Sequence, residues 1–177
     1  MNPVKLFHIS ETPDITSFTP KPSPSDSNGV LGNVVFAITD RLLHNYLLPR
    51  DCPRVTYYTR PDSSPSDIKK YMGSAGAGFI VAVENAWYQK IQNTTLYCYE
   101  FPTTHFQVAD EGAGYYISYE TINPISISRI VNPLEELEKR KVEVRFMPNL
   151  WPLADEIIKS SLQYSLIRMR NAKPREQ

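Results

Sequence analysis

Lys5-Leu6-Phe7-His8-Ile9-Ser10 sets an imidazole inside an apolar, strand-like run close to the start of the chain. A histidine so placed either satisfies a hydrogen bond within the core or presents a titratable ring to a cleft; the residues alone leave both readings open. His44 and His105 share no metal-ligand spacing with it, so no metal centre is expected. His44 lies in a polar context that predicts exposure. A second group with chemical scope is Arg50-Asp51-Cys52-Pro53-Arg54. Two guanidiniums around an aspartate make either a salt-bridged corner or an anion clamp, because arginine's planar fork fits phosphate. Cys52 and Cys98 stand singly, with no C-x-x-C, which argues against a zinc site and a disulfide framework and predicts a reducing, cytoplasmic setting. The Asn93-Thr94-Thr95 sequon is then expected to be accidental. No phosphate loop, dinucleotide fingerprint, nucleophile elbow or H-E-x-x-H occurs.

Short elements must carry these groups, because fifteen prolines stand against seven glycines. Proline fixes φ and lacks a donor, so Pro13, Pro20, Pro22, Pro24, Pro49, Pro53, Pro61 and Pro65 exclude central strands and helix interiors from their positions. Residues 4–9 read as a first strand, and the Pro/Ser-rich residues 19–32 as a mobile surface loop. NVVFAI, residues 33–38, fits a buried strand; it leads into a short helix, DRLLHNYL, that stops before Pro49. Residues 54–59 alternate as a strand. Ser64 N-caps a second short helix, with Asp67 at the position of a capping-box acid. Gly73-Ser74-Ala75-Gly76-Ala77-Gly78 precedes a strand over 78–83, so it reads as a turn rather than a phosphate cradle. Residues 84–91 read as a helix.

Beyond residue 95 the texture turns aromatic. Residues 95–101, 105–109 and 115–119 read as an antiparallel meander with turns at Pro102 and Asp110-Glu111-Gly112. A strand over 125–131, a solvated helix over 134–141 and an alternating strand over 142–147 follow. Ile157, Ile158, Leu162, Leu166 and Met169 recur on one face, predicting an amphipathic C-terminal helix over 151–170. Its Pro152 falls in the first turn, and Asp155, Glu156, Arg168 and Arg170 complement the helix dipole. Residues 171–177 are expected to fray. The elements predict one α+β domain over 1–177, with a bent or split antiparallel-rich sheet and short flanking helices.

With 177 residues, such a domain buries roughly 70% of its unfolded surface, so no covalent staple is needed. Nineteen basic residues balance nineteen acidic ones, which gives no overall field toward nucleic acid or anionic lipid. No apolar stretch has the length of a membrane span, and no leader-like segment opens the chain.

KLFHIS, then GNVVFAITDRLLHNYL, then YYISYETINPISISRI resembles the order of elements in ADP-ribosyltransferase-like domains. Such domains carry a histidine on the first strand, a tyrosine on the helix after the second, and a glutamate on a late strand. The resemblance places those roles on His8, Tyr46 and Glu120, with Tyr57 and Tyr58 as rivals for the tyrosine. It implies NAD as substrate, cleavage of its nicotinamide–ribose bond, and His8, Ser10, Tyr46 and Arg50 against the nucleotide. A carboxylate would stabilise the positive charge developing on the ribose, a tyrosine would stack on nicotinamide, and a neutral imidazole would hold a ribose hydroxyl. Ser118 stands two before Glu120, where arginine-modifying relatives carry Glu or Gln, so the resemblance does not extend to an arginine acceptor. Nearly the full length also resembles a small bacterial family of uncharacterised proteins sharing the LFHIS, NYLLPRDCPR and SLQYSLIRMRNA segments. The competing function is a non-catalytic binding module using Tyr97, Tyr99, Phe101, Tyr115 and Tyr116 as its surface.

Overall fold

The computed structural model describes residues 4–23, 30, 32–73 and 76–175. In chain order the strands are β1 (Leu6–Ser10), β2 (Lys21–Pro22), β3 (Asn33–Thr39), β4 (Arg54–Tyr58), β5 (Phe79–Glu84), β6 (Leu96–Phe101), β7 (Gln107–Asp110), β8 (Tyr115–Ser118), β9 (Ser126–Ile130), β10 (Val142–Met147) and β11 (Gln163–Ile167). The α-helices are short: α1 (Pro65–Asp67), α2 (Tyr88–Gln92), α3 (Pro133–Lys139) and α4 (Trp151–Ile157). A tight helical segment at Asp40–Tyr46 follows β3. The fold is therefore α+β with a split, antiparallel-rich sheet, as the alternation of short strands predicts.

The chain forms two compact units, each assembled from two pieces. Residues 1–46 and 95–131 make the first, residues 47–94 and 132–177 the second. In the first, the sheet order is β7-β8-β3-β1-β6-β9, with β2 added to β3. The predicted meander is only half present. β7 and β8 pair antiparallel, but β6 pairs with β1 and β9, because Leu6 meets Phe101 and His8 meets Tyr99 across that ladder. Of the loop expected over 19–32, Lys21 and Pro22 pair with Val34 and Asn33, while residues 24–29 and 31 lie outside the described residues.

In the second unit the sheet order is β10-β5-β4-β11, with β10 parallel to β5 and the other neighbours antiparallel. Val55, Tyr57, Ile80 and Ala82 form one side of its core, and Leu150, Ala154, Ile157 and Leu162 close it. Ser64 caps α1 as its sequence predicts, its Oγ accepting from the Asp67 backbone N–H at 3.2 Å.

The C-terminal helix is much shorter than its apolar spacing predicts. It ends at Ile157, and Gln163–Ile167 is instead β11, paired over five residues with β4. Ile158 and Leu166, two residues of the expected stripe, are exposed, whereas Leu162 is buried. The Ser160 hydroxyl donates back to the Ile157 carbonyl, and the Asp67 carboxylate takes both the N–H and the hydroxyl of Ser161. These bonds stop the helix, and the β4 edge then satisfies the backbone that follows.

The segment expected to fray is held through Arg175. The Asn171 amide donates to the Asp51 carbonyl, the Lys173 N–H to both Glu84 carboxylate oxygens, and the Trp151 indole to the Lys173 carbonyl. Arg175 forks onto Asp155 and lies over the Trp151 ring.

Candidate functional site on the first sheet

Side chains alternate across a strand, so register assigns every candidate to a face. Leu6 and His8 share a face with Phe101 and Tyr99, their partners on β6. Phe7 lies on the other face, with Ile38 opposite it on β3 and Tyr115 opposite Ile38 on β8.

His8 is half-buried. Its Nδ1 lies 3.1 Å from the Phe36 carbonyl. A carbonyl only accepts, so Nδ1 carries the proton in this contact. The registered β1–β3 pairing covers only Leu6 and Phe7; beyond it, the imidazole takes up a carbonyl of the neighbouring strand. Phe18 tilts against the ring at 4.9 Å and Phe101 stacks at 6.1 Å. Phe18 is brought there by its paired backbone bonds to Ile122.

Glu120 follows β8 and extends into solvent, with 64% of its side chain exposed. Its carboxylate lies 3.2 Å from His105 Nδ1. His105 has φ of +73°, a left-handed conformation that a residue with a Cβ adopts at some strain. The next residue, Phe106, stacks on Phe101 at 5.6 Å. The Phe101–Phe106 stack and the Phe18–Ile122 bridge tie the segments that hold His105 and Glu120 to the strand elements around His8. Neither Phe18, Phe106 nor His105 has a local sequence signal for this placement, since each reaches the site through contacts distant in the chain.

Tyr46 is not brought to His8. Its hydroxyl lies 2.5 Å from that of Tyr115, on the opposite face of the sheet. The rival Tyr57 belongs to the second unit, fully buried, with its hydroxyl accepting from Arg145 at 2.7 Å. Tyr58 packs there against Phe79. Ser10 lies on the His8 side and its Oγ accepts from the Thr12 N–H. Arg50 is an exposed turn residue of the second unit. In the same corner, Arg54 is buried and its Nη1 donates to the carbonyls of Pro49 and Cys52. That use of the guanidinium corresponds to a structural corner. His44, expected to be exposed, is buried.

Tyr99 and Phe101 are core residues, and Tyr97, Tyr115 and Tyr116 are half-buried. Burial takes Tyr99 and Phe101 out of any open surface, while Tyr97, Tyr115 and Tyr116 stay partly accessible. A cavity of about 390 Å³ opens at one end of the sheet, lined in part by Lys5, Asp40, Arg41 and Glu111. Two more of its residues, Thr39 and Tyr116, lie on the His8 side by register. Among the described residues no helix is long and apolar enough to cross a membrane.

A family model described as a family of unknown function (DUF6886) matches residues 7–172, and the chain belongs to that family. No curated protein and no solved structure matches it.

Proposed function

We propose that the chain is an ADP-ribosyltransferase-like protein that binds NAD on the His8 face of its first sheet. What supports this reading is the half-buried His8 beside the half-buried ring of Phe18, with Phe106 of the same aromatic cluster following His105, the partner of Glu120. Aromatic faces suit a nicotinamide or adenine ring, and stacking adds to the area each ring buries. Glu120 is exposed enough to reach a bound ribose. A carboxylate there favours the positive charge that develops as the nicotinamide–ribose bond breaks. With Nδ1 committed to the Phe36 carbonyl, His8 would meet a ribose hydroxyl through Nε2. Tyr46, on the other face, has no part in this arrangement.

Calorimetric and thermal-shift titrations with NAD, ADP-ribose and nicotinamide test the reading. NAD at 100 times its dissociation constant should stabilise the fold by about 2.7 kcal/mol. Glu120→Gln should fold and bind normally, because the side chain is exposed, yet lower nicotinamide release by about 10²-fold or more. Absence of a shift with both NAD and ADP-ribose would leave His8 as a core histidine and end the proposal.

A further inference from the structure

The second unit holds one of its own segments in the way a protein holds a peptide ligand. Met169 still packs on the core of that unit. Beyond it, Asn171, Lys173, Pro174 and Arg175 are exposed and Ala172 is half-buried. Polar contacts hold this stretch. The Asn171 amide donates to the Asp51 carbonyl at 2.8 Å. The Lys173 N–H lies 3.1 and 3.2 Å from the two carboxylate oxygens of Glu84, and the Lys173 carbonyl accepts from Trp151 Nε1 at 2.7 Å. Arg175 donates to both Asp155 oxygens, at 2.6 and 2.9 Å, with its guanidinium 4.1 Å from the centre of the Trp151 ring. Ala172 is extended, and the proline after Lys173 biases that residue the same way. The N–H and C=O of an extended residue point to one side, so Glu84 and Trp151 together read both backbone groups of Lys173.

The receiving side belongs to the fold itself. Glu84 ends β5 and is buried, and Trp151 begins α4 and packs on the core. Burying a carboxylate is costly, and apolar contacts would hold a purely structural segment at lower cost. We propose that this groove is a recognition site for an extended peptide segment with an arginine two residues beyond its anchored residue, and that residues 171–175 fill it as an intramolecular competitor. Three points define the ligand: a backbone N–H for Glu84, the same residue's C=O for the Trp151 indole, and a guanidinium for Asp155 and the Trp151 ring. The resident segment can leave without opening the core, since none of its side chains is fully buried. Its latch is the Arg175–Asp155 pair, 56% and 41% exposed, and exposed ion pairs hold weakly. A tethered segment competes at a millimolar effective concentration, so the cover sets a threshold that a partner segment must exceed. The site lies wholly within the second unit and is independent of the NAD reading.

NMR titration of the full chain with acetyl-Asn-Ala-Lys-Pro-Arg-amide, followed at the Trp151 indole N–H, provides the test. Arg175→Ala loosens the resident segment while leaving Glu84, Trp151 and Asp155 in place. That variant should bind the peptide at millimolar concentration and shift the indole resonance toward its wild-type position. The wild-type chain should bind about tenfold more weakly, because its own segment holds the groove. The same peptide ending in alanine should bind the variant about tenfold more weakly, having lost the cation. Amide exchange on the wild-type chain gives a second readout. The Lys173 N–H should exchange at least about 10²-fold faster than the amides of β4 and β5. Exchange of Lys173 in step with β5 would make the segment part of the cooperative core and overturn the proposal. Failure of Arg175→Ala to bind the peptide, or equal binding of the peptides with and without arginine, would overturn it as well.

Discussion

Gly114 closes the β7–β8 turn with φ of +68°, and a Cβ there would stand 2.6 Å from the Thr39 hydroxyl and 3.0 Å from Leu42. Both the dihedral and the space require glycine. Gly114→Ala should therefore destabilise the fold by on the order of 1–3 kcal/mol, read as a lower urea midpoint. At Cys52, burial pushes the thiol from 9.0 up to about 12; the Arg54 guanidinium opposes this and the Glu84 carboxylate adds to it. Burial likewise raises the Tyr57 phenol from 10.0 to about 12, against the pull of Arg145. Each group keeps its proton longer when folded than when unfolded. Their contribution to stability is thus complete below pH 9 and is lost as pH climbs toward 12. Urea titrations from pH 8 to alkaline conditions should show falling stability, less steeply in Cys52→Ala. Native Cys52 should also resist alkylation near neutral pH, because the thiolate is the nucleophile.

Two contacts hold the C-terminal elements of the second unit. The Ser161 backbone N–H, and after it the Ser161 hydroxyl, hold the Asp67 carboxyl below the usual carboxylate range. A depressed carboxyl contributes stability above its ordinary pKa and loses it as pH falls through the folded value. Asp67→Asn should therefore be less stable than wild type at pH 7, with the difference closing as pH drops below the ordinary value of 3.8, measured by urea unfolding. The tail clasp is the second contact. Glu84 is only 2% exposed, and its carboxylate accepts the Lys173 N–H. Deleting residues 172–177 removes the Lys173 N–H that the Glu84 carboxylate accepts, which should cost about 1–3 kcal/mol. Calorimetry of the same deletion in Glu84→Gln should show a smaller loss, because a neutral amide tolerates burial better than a charge.

The two units interleave along the chain, which changes unit after residues 46, 94 and 131. A chain ended at Val131 keeps every strand of the first sheet but loses β10, β11 and α4 from the second. Such a product should show amide-exchange protection over β1, β3 and β6 and none over residues 47–94. Protection persisting in β4 and β5 would show that this pair does not depend on the missing strands. The interleaving also makes many contacts long-range, a topology that folds more slowly than a helical one of equal size.

Local chemistry in the sequence determined the elements. The β-branched run of β3, the alternation in β10 and the Ser64 cap each depend on neighbours a few residues away, so their signals are legible in place. His8 within a strand is legible for the same reason. The extent of α4 is not, because Ile158, Leu162 and Leu166 satisfy helical spacing even though the segment's backbone finds its partners on β4. Strand order, and with it the sides taken by His8 and Tyr46, is set by which distant strands share apolar cross-strand pairs. A shift of one residue would exchange the faces, and no composition or motif records the choice. Sequence alone likewise hides the His105–Glu120 contact and the burial of Glu84 under the tail, because each partner is chosen by tertiary proximity. The residue types able to do chemistry were thus present in the sequence, while the folded sheet decided which of them meet.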